Sequence, residues 1–395
     1  MDATGLLPIV LTMAIAVTCA ALLTRRFGAP AVQGRFAAID GLRGYLAFAV
    51  FLHHACIWFA YLRTGRWEVP ASALYAHLGQ SSVSLFFMIT GFLFWRKVLD
   101  GRRHGIDWLR LYVSRALRLA PLYLFAMSGL LLVVLVLSGG ERQVPVPALL
   151  WQAVRWLTFT VAGTPDINGV KDTWLAVAGV TWTLRYEWLF YLCLPVLALS
   201  VGARPPATAL GLALASVAAV VVLRLSPVLM APFAGGMFAA ALQGVPAVAR
   251  LARHRMASAA AALCLVAAVM CFPDPRHLGA LGLLTVAFVL IAHGADLFGA
   301  LRHRVSRLFG ELAYGMYLLH GLLLFVTFQF VLGLPRTAAL SGTAYWLLIA
   351  ALTPALVFGT WATHRLIERP GMARVDELTA WLRRGPPRLS PKTAV

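Results

Sequence analysis

Residues 40–62 read DGLRGYLAFAVFLHHACIWFAYL, an apolar run with two charged residues at its start and two histidines near its middle. Its apolar part, 44–62, is close to the roughly 20 residues that a helix needs to cross the hydrocarbon of a membrane. Of the 395 residues in the chain, 61% are hydrophobic and 12% are charged, whereas a soluble domain carries about 25% charged residues. The sequence therefore predicts an integral membrane protein.

Apolar blocks of similar length recur along the chain and predict an all-α bundle of eleven membrane helices. The alternation typical of membrane strands is absent. The first block lacks a basic region before it and a cleavage site after it, so we expect a retained helix and not a signal peptide. The predicted spans are 5–24, 44–62, 80–95, 119–138, 183–201, 207–223, 226–246, 257–272, 278–295, 309–332 and 343–363.

The basic residues indicate how the chain is oriented. The formal net charge is +19, but the arginines and lysines cluster in short segments between apolar blocks, which favours membrane orientation over nucleic-acid binding. With the N-terminus outside and the C-terminus in the cytoplasm, 25 of the 34 basic residues lie on the inner side, as the positive-inside rule requires. Segment 139–182 is then the largest outer loop, and 372–395 is predicted to be a mobile cytoplasmic tail.

The cysteines carry no sign of a disulfide framework or a metal site. All five lie in or at the ends of apolar segments and lack metal-type spacing, so we expect neither a disulfide nor zinc. They are Cys19, Cys56, Cys193, Cys264 and Cys271.

The second predicted span carries Arg43 and His54. Eleven residues of helix separate them by roughly 16 Å and return to nearly the same face, so both are predicted to point into one crevice. An imidazole can deprotonate a hydroxyl or accept an acyl group, which makes His54 the catalytic candidate. The alternative is a buried histidine bonded to a neighbouring helix. We expect a structural role for His53, which faces about 100° away.

A basic run follows the third span. Arg115 and Arg118 have i, i+3 spacing at the membrane boundary and are predicted to clamp the phosphates of a polyanionic donor such as coenzyme A. The alternative is topology and contact with anionic lipids.

Polar residues also lie within two later spans. Glu187 in the fifth span is costly in a membrane, so we expect it to orient His54, bind acceptor hydroxyls or form a structural salt bridge. Tyr314, Tyr317 and His320 follow three-residue spacing along the tenth span, a pattern that favours helix packing somewhat over chemistry. The aromatic residues Trp182 and Tyr191 fit a membrane-interface belt better than a sugar platform.

These blocks, in this order, resemble acyltransferase family 3, whose members include O-acetyltransferases and succinyltransferases of cell-surface glycans. The likeness covers about residues 36–371, preceded by an extra helix and linker at 1–35 and followed by the tail at 372–395. The blocks are Asp40-Gly41-Leu42-Arg43-Gly44 with His53-His54, Ser84 to Phe92, Arg115 to Tyr123, Trp182 to Glu187, Phe190-Tyr191, Tyr314 to His320, and Glu368-Arg369-Pro370.

The resemblance implies a ten-helix domain in which an arginine and a histidine separated by ten residues are essential, and Arg43 and His54 match that pair. It also implies an acyl donor, usually acetyl-CoA, from the cytoplasm, no permanently bound cofactor, and a glycan acceptor at the outer side of the inner membrane. Thr90, Thr183 and Ala313 stand where the family more often has serine, and Ala313 loses the hydroxyl. No appended hydrolase-like domain is expected.

Together these arguments select twelve candidate site residues and leave two other functions open. A transporter or glycan exporter would use the buried polar residues to line a path, and a membrane scaffold would not need His54. The sequence does not decide the oligomeric state. The catalytic candidates are His54, Arg43 and Glu187, and the substrate-binding candidates are Asp40, Arg115, Arg118, Trp182, Thr183, Tyr191, Tyr314, Tyr317 and His320.

Overall fold

The computed structural model describes residues 4–29, 36–222 and 225–384, without the side chains of Arg103 and His104. Those two side chains, part of the linker and the last residues of the predicted tail therefore lie outside the described residues. The protein is 79% helical, and the described ranges contain no β-strand. The all-α prediction is confirmed, and the five cysteines are free thiols.

The described part of the chain forms seventeen α-helices, with short 3₁₀ segments at Thr173–Val177 and Ala300–Arg302 and π-helical segments at Thr327–Val331 and His364–Glu368. The helices are α1 (Leu6–Phe27), α2 (Ala37–Thr64), α3 (Ala73–His104), α4 (Trp108–Leu137), α5 (Val146–Leu157), α6 (Trp182–Leu199), α7 (Ala207–Val222), α8 (Pro227–Ala241), α9 (Pro246–Arg253), α10 (Arg255–Cys271), α11 (Leu278–His293), α12 (Arg304–Glu311), α13 (Ala313–Val326), α14 (Leu334–Ala338), α15 (Gly342–Thr363), α16 (Arg369–Ala373) and α17 (Val375–Arg384).

Six helical stretches in the described ranges are long and apolar enough to cross a membrane. They contain α1, α2, α3, α4, α13 and α15, and a seventh arises if α8 and α9, bent by 103°, form one span. Each remaining predicted span also contains a helix, but α6, α7, α10 and α11 have only 16 to 18 residues. A helix of 16 residues rises about 24 Å, less than the roughly 30 Å of hydrocarbon. The predicted count of eleven is therefore not confirmed.

Helix α2 begins earlier than predicted, at Ala37, so the charged motif at its start is helical. Three glycines let α2 pack closely against residues 301–310, which include most of α12. A Cβ atom at Gly41 would lie 2.0 Å from the Leu301 carbonyl oxygen, and one at Gly44 would lie 2.5 Å from the Phe309 carbonyl carbon. A Cβ atom at Gly310 would lie 1.8 Å from the Asp40 carbonyl oxygen. Small residues at such a contact allow two helix backbones to touch, which fixes the position of α2 and of Arg43 on it.

Segment 139–181 packs on the helix bundle and is not a loose loop. It contains α5, and the indole N–H of the fully buried Trp156 donates to the Pro165 carbonyl at 2.8 Å. Its 3₁₀ segment packs on α13, where a Cβ atom at Gly321 would lie 2.4 Å from the Val177 carbonyl carbon. We call this segment the cap. Because its backbone rests directly on α13, the cap holds a fixed position on the bundle.

The predicted mobile tail is ordered as far as the structure describes it. Residues 375–384 form α17, where Asp376 accepts a hydrogen bond at 2.9 Å from Nε of Arg110, at the start of α4. Arg383 pairs with Asp107, the residue that caps the N-terminus of α4. The prediction of a mobile tail is wrong for this part, because two ion pairs dock it on α4.

We predict that Gly310→Ala destabilises the protein, because the added methyl group would overlap the backbone of α2. Overpacking costs roughly 1–3 kcal/mol, measurable as a lower midpoint of thermal unfolding in detergent. Gly282→Ala is the matched control, since a Cβ atom there meets nothing within 4 Å and alanine favours helix by about 1 kcal/mol. Equal midpoints for the two variants would contradict the packing of α2 on α12.

Candidate functional site

A cavity of about 100 Å³ lies inside the bundle, lined by residues of α2, α3, α4, α6 and α13. We call it the arginine cavity. Eight of the twelve candidate residues line it, although they come from four helices that are distant in sequence. Those eight are Arg43, Arg115, Arg118, Thr183, Glu187, Tyr191, Tyr314 and Tyr317.

The three arginines of this cavity lack anionic partners. Arg115 lies over the ring of Phe94, 5.1 Å from its centroid, and its buried Nε has no hydrogen-bond partner in the described part of the chain. Arg118 donates to the sulfur of Met372 at 3.4 Å, a weak acceptor. Within the described ranges, none of Arg43, Arg115 and Arg118 forms an ion pair. Unpaired guanidinium groups in a buried site are suited to an anionic ligand.

Glu187 is the one carboxylate in the cavity wall. It accepts hydrogen bonds from the hydroxyl of Tyr191 at 2.5 Å and from that of Thr90 at 3.0 Å. Neither the contact with His54 nor the salt bridge considered from the sequence is formed among the described residues. The lining therefore holds three guanidinium groups and one carboxylate, an excess of positive charge.

The catalytic candidate His54 belongs to a hydrogen-bonded pair. Its Nδ1 lies 3.0 Å from the Val50 carbonyl oxygen and 3.0 Å from Nε2 of His320. Nδ1 of the fully buried His320 lies 2.9 Å from the Met316 carbonyl oxygen. A carbonyl only accepts, so neutral His320 carries its proton on Nδ1 and accepts at Nε2. His54 then donates from Nδ1, which leaves a lone pair on its Nε2 for a substrate.

The sequence predicted that Arg43 and His54 share one crevice, but only Arg43 lines the arginine cavity. The cavity ends at Tyr317, whose ring centroid lies 6.3 Å from that of His320. His54 lies beyond His320 and stacks on Trp67 on its other side, with 6.2 Å between ring centroids. The histidine pair thus lies behind the ring of Tyr317 and does not line the cavity, and His54 is roughly 16 Å along α2 from Arg43.

Two other candidates do not line the arginine cavity. Asp40 lies almost one turn closer to the start of α2 than Arg43, and its carbonyl faces Gly310. Trp182 is 37% exposed and lines a separate small cavity. Its side chain points about 100° away from that of Thr183, which explains why only Thr183 reaches the arginine cavity.

The structure adds residues that the sequence did not select. Thr90 and Ala313 were noted only as departures from serine, yet both line the cavity, and Thr90 donates to Glu187. Phe86 and Phe87 complete the wall from α3. Both belong to the block Ser84 to Phe92 that carries the family resemblance, but their apolar side chains resemble those of any membrane helix, so they were not selected as site residues.

The structural role predicted for His53 agrees with its contacts. Its Nδ1 lies 2.7 Å from the Tyr75 carbonyl oxygen, and a Cβ atom at Gly79 would lie 2.4 Å from its ring. His53 therefore joins α2 to α3.

The comparison with known families supports the functional class of this site. A family model described as an acyltransferase domain matches residues 36–365, which include the arginine cavity, the histidine pair and the cap. No curated protein and no solved structure matches the chain. Because the matched span covers most of its length, the chain belongs to acyltransferase family 3.

Proposed function

We propose that this membrane protein is an O-acyltransferase that moves an acetyl group from acetyl-CoA to a hydroxyl of an extracytoplasmic glycan. The observation that carries the proposal is the arginine cavity, which has three arginines without an ion pair in the described residues and lies one ring away from a histidine pair. The family assignment supports acyl transfer in general. The acetyl donor, the glycan acceptor, the location in the inner membrane and the cytoplasmic facing of the arginine-rich end are parts of the proposal.

The size and charge of the arginine cavity favour a small acyl thioester. The cavity is small, about 100 Å³, which suits the acetyl end of a thioester. Arg115 and Arg118 would attract the negative charges of coenzyme A, and Arg43 would stabilise the charge that develops on the thioester oxygen. The nucleotide end of the donor would remain outside the cavity, towards the basic end of the bundle.

In the proposed reaction His54 acts as the base. Its Nε2 takes the proton of the acceptor hydroxyl, the hydroxyl oxygen bonds to the thioester carbon, the C–S bond breaks, and the proton passes to the thiolate. Nε2 of His320 accepts a hydrogen bond from Nδ1–H of His54 and stabilises the imidazolium that forms. Tyr317 separates the thioester from the histidines, so its side chain must move aside during transfer. A covalent acyl-His54 intermediate would use the same Nε2 and would leave a trappable adduct.

An exporter function has weaker support. Transporters of this size often pair two broken helices in related halves, whereas the described helices include one bent pair, α8 with α9. The matched family is defined by an acyltransferase domain. Both observations favour chemistry over transport.

We predict that His54→Ala abolishes acetylation, because no other group in the proposed site would take the proton from the hydroxyl. Acetyl content of surface glycans would be measured by mass spectrometry, together with the protein level in the membrane. His277→Ala is the control, since this exposed histidine caps α11 and stacks on Phe272, outside the proposed site. Normal acetylation in His54→Ala cells would remove the catalytic assignment.

We predict that His320→Ala lowers kcat about tenfold or more and leaves KM for acetyl-CoA unchanged, because His320 acts on His54 and not on the donor. In His320→Gln, a side-chain oxygen can replace the Nε2 acceptor, so part of the rate should return. Steady-state kinetics of the purified protein would test both variants. A raised donor KM with unchanged kcat would instead place His320 in donor binding.

We predict that Arg115→Gln and Arg118→Gln each raise KM for acetyl-CoA about tenfold or more, since a hydrogen bond to a charged group contributes roughly 1.5–3 kcal/mol. Arg336→Gln is the control, because Arg336 is exposed on α14, outside the arginine cavity. An unchanged donor KM in the first two variants would show that coenzyme A binds elsewhere.

A further inference from the structure

A second cavity, of about 190 Å³, lies between the far end of α2 and the cap. It shares no lining residue with the arginine cavity, and none of the twelve candidates lines it. We call it the cap cavity. Its wall combines aromatic side chains with polar ones. The residues that matter for its chemistry are Trp58, Tyr61, Phe325, Lys171, Asp172 and Gln329.

One hydrogen-bond donor in this wall has no partner. Trp58 is 1% exposed, and its buried indole N–H makes no hydrogen bond within the described residues. A buried indole N–H is normally paired, and leaving it unpaired is destabilising. A bound ligand with a hydroxyl or carbonyl oxygen would satisfy it.

A chain of aromatic rings connects this cavity to His54. Trp67 stacks on His54, and its ring centroid lies 5.3 Å from that of Trp58 and 5.6 Å from that of Trp174. Trp58 also follows His54 by four residues, so the two side chains lie one turn apart on the same face of α2. A ligand held at Trp58 is therefore held close to the proposed base.

The polar groups at the rim suit a neutral ligand. Lys171 and Asp172 are both exposed, and their formal charges cancel. Asp172 has φ 53°, a left-handed conformation that is costly for a residue other than glycine, and it accepts a hydrogen bond from the indole of Trp174 at 3.2 Å. Such strained positions concentrate at binding sites, where the surrounding structure holds them.

We propose that the cap cavity binds the acceptor, as a neutral sugar ring of the glycan. The ring would place its apolar face on the aromatic side chains, whose faces are electron-rich, and a hydroxyl would accept the hydrogen bond of Trp58. Asp172 and Gln329 would bind further hydroxyls. Only the identification of the bound sugar as the acceptor rests on the proposed function, because sugar binding can be measured without catalysis.

The test is direct binding of a neutral probe, N,N′-diacetylchitobiose (chitobiose below), to the full-length protein in lipid nanodiscs by titration calorimetry. Wild-type protein should bind chitobiose and not the anionic digalacturonate, and Trp58→Phe should weaken binding about tenfold, since it removes one N–H and keeps an aromatic ring. Trp151→Phe is the control, because Trp151 is 60% exposed on α5 and outside the cavity.

Three results would overturn the proposal: no binding of the neutral probe, a preference for the anionic probe, or equal affinity of wild type and Trp58→Phe. In kinetic assays Trp58→Phe should raise KM for the acceptor and leave KM for acetyl-CoA unchanged. If chitobiose binds as described but no acetyl transfer occurs, the proposed function fails and the sugar site remains.

Discussion

The contact of α2 with the chain around α12 fixes the groups on which the proposed chemistry depends. Gly41, Gly44 and Gly310 bring the two backbones together without side chains between them. Since α2 is one continuous helix, its position at this contact also determines where Arg43 and His54 lie. The arginine cavity, which Arg43 lines, and the histidine pair, which includes His54, are thus held at a constant separation.

The two cavities differ in charge as their proposed ligands do. The arginine cavity has three cations and one carboxylate, which suits a polyanionic donor. The wall of the cap cavity contains one lysine, one aspartate and several aromatic side chains, which suits a neutral sugar. Tyr317 and the histidine pair lie between the two, at the place where an acyl group and a hydroxyl would have to meet.

Much of the arginine cavity could be predicted because buried polar residues are costly in a membrane. That argument selected Arg43 and Glu187, and the i, i+3 spacing at the membrane boundary selected Arg115 and Arg118, without knowledge of how the helices pack. Neither argument could pair His54 with His320, because the two are far apart in sequence and their contact depends on the packing of α13 against α2. Of the three roles considered for Glu187, the contact with His54 and the salt bridge do not form among the described residues, and binding of acceptor hydroxyls stays a prediction.

The helix count and the cap show the limits of sequence patterns. Apolar composition located a helix in each predicted span but did not show that several are too short to span the hydrocarbon alone. The polar start of α2 resembled a loop, because the glycines that let it pack as helix act through tertiary contacts. Trp67 and Trp174 lie outside the α-helices and follow no period, so nothing in the sequence placed them beside His54.

The most direct test of the account is a structure of the protein with a non-hydrolysable acetyl-CoA analogue. The account predicts that the acetyl end lies among Arg43, Arg115 and Arg118 and points towards Tyr317. A larger cavity of about 790 Å³, lined by Arg253, Arg255 and Arg302 among others, is the competing basic site. An analogue bound there, with the arginine cavity empty, would contradict the account.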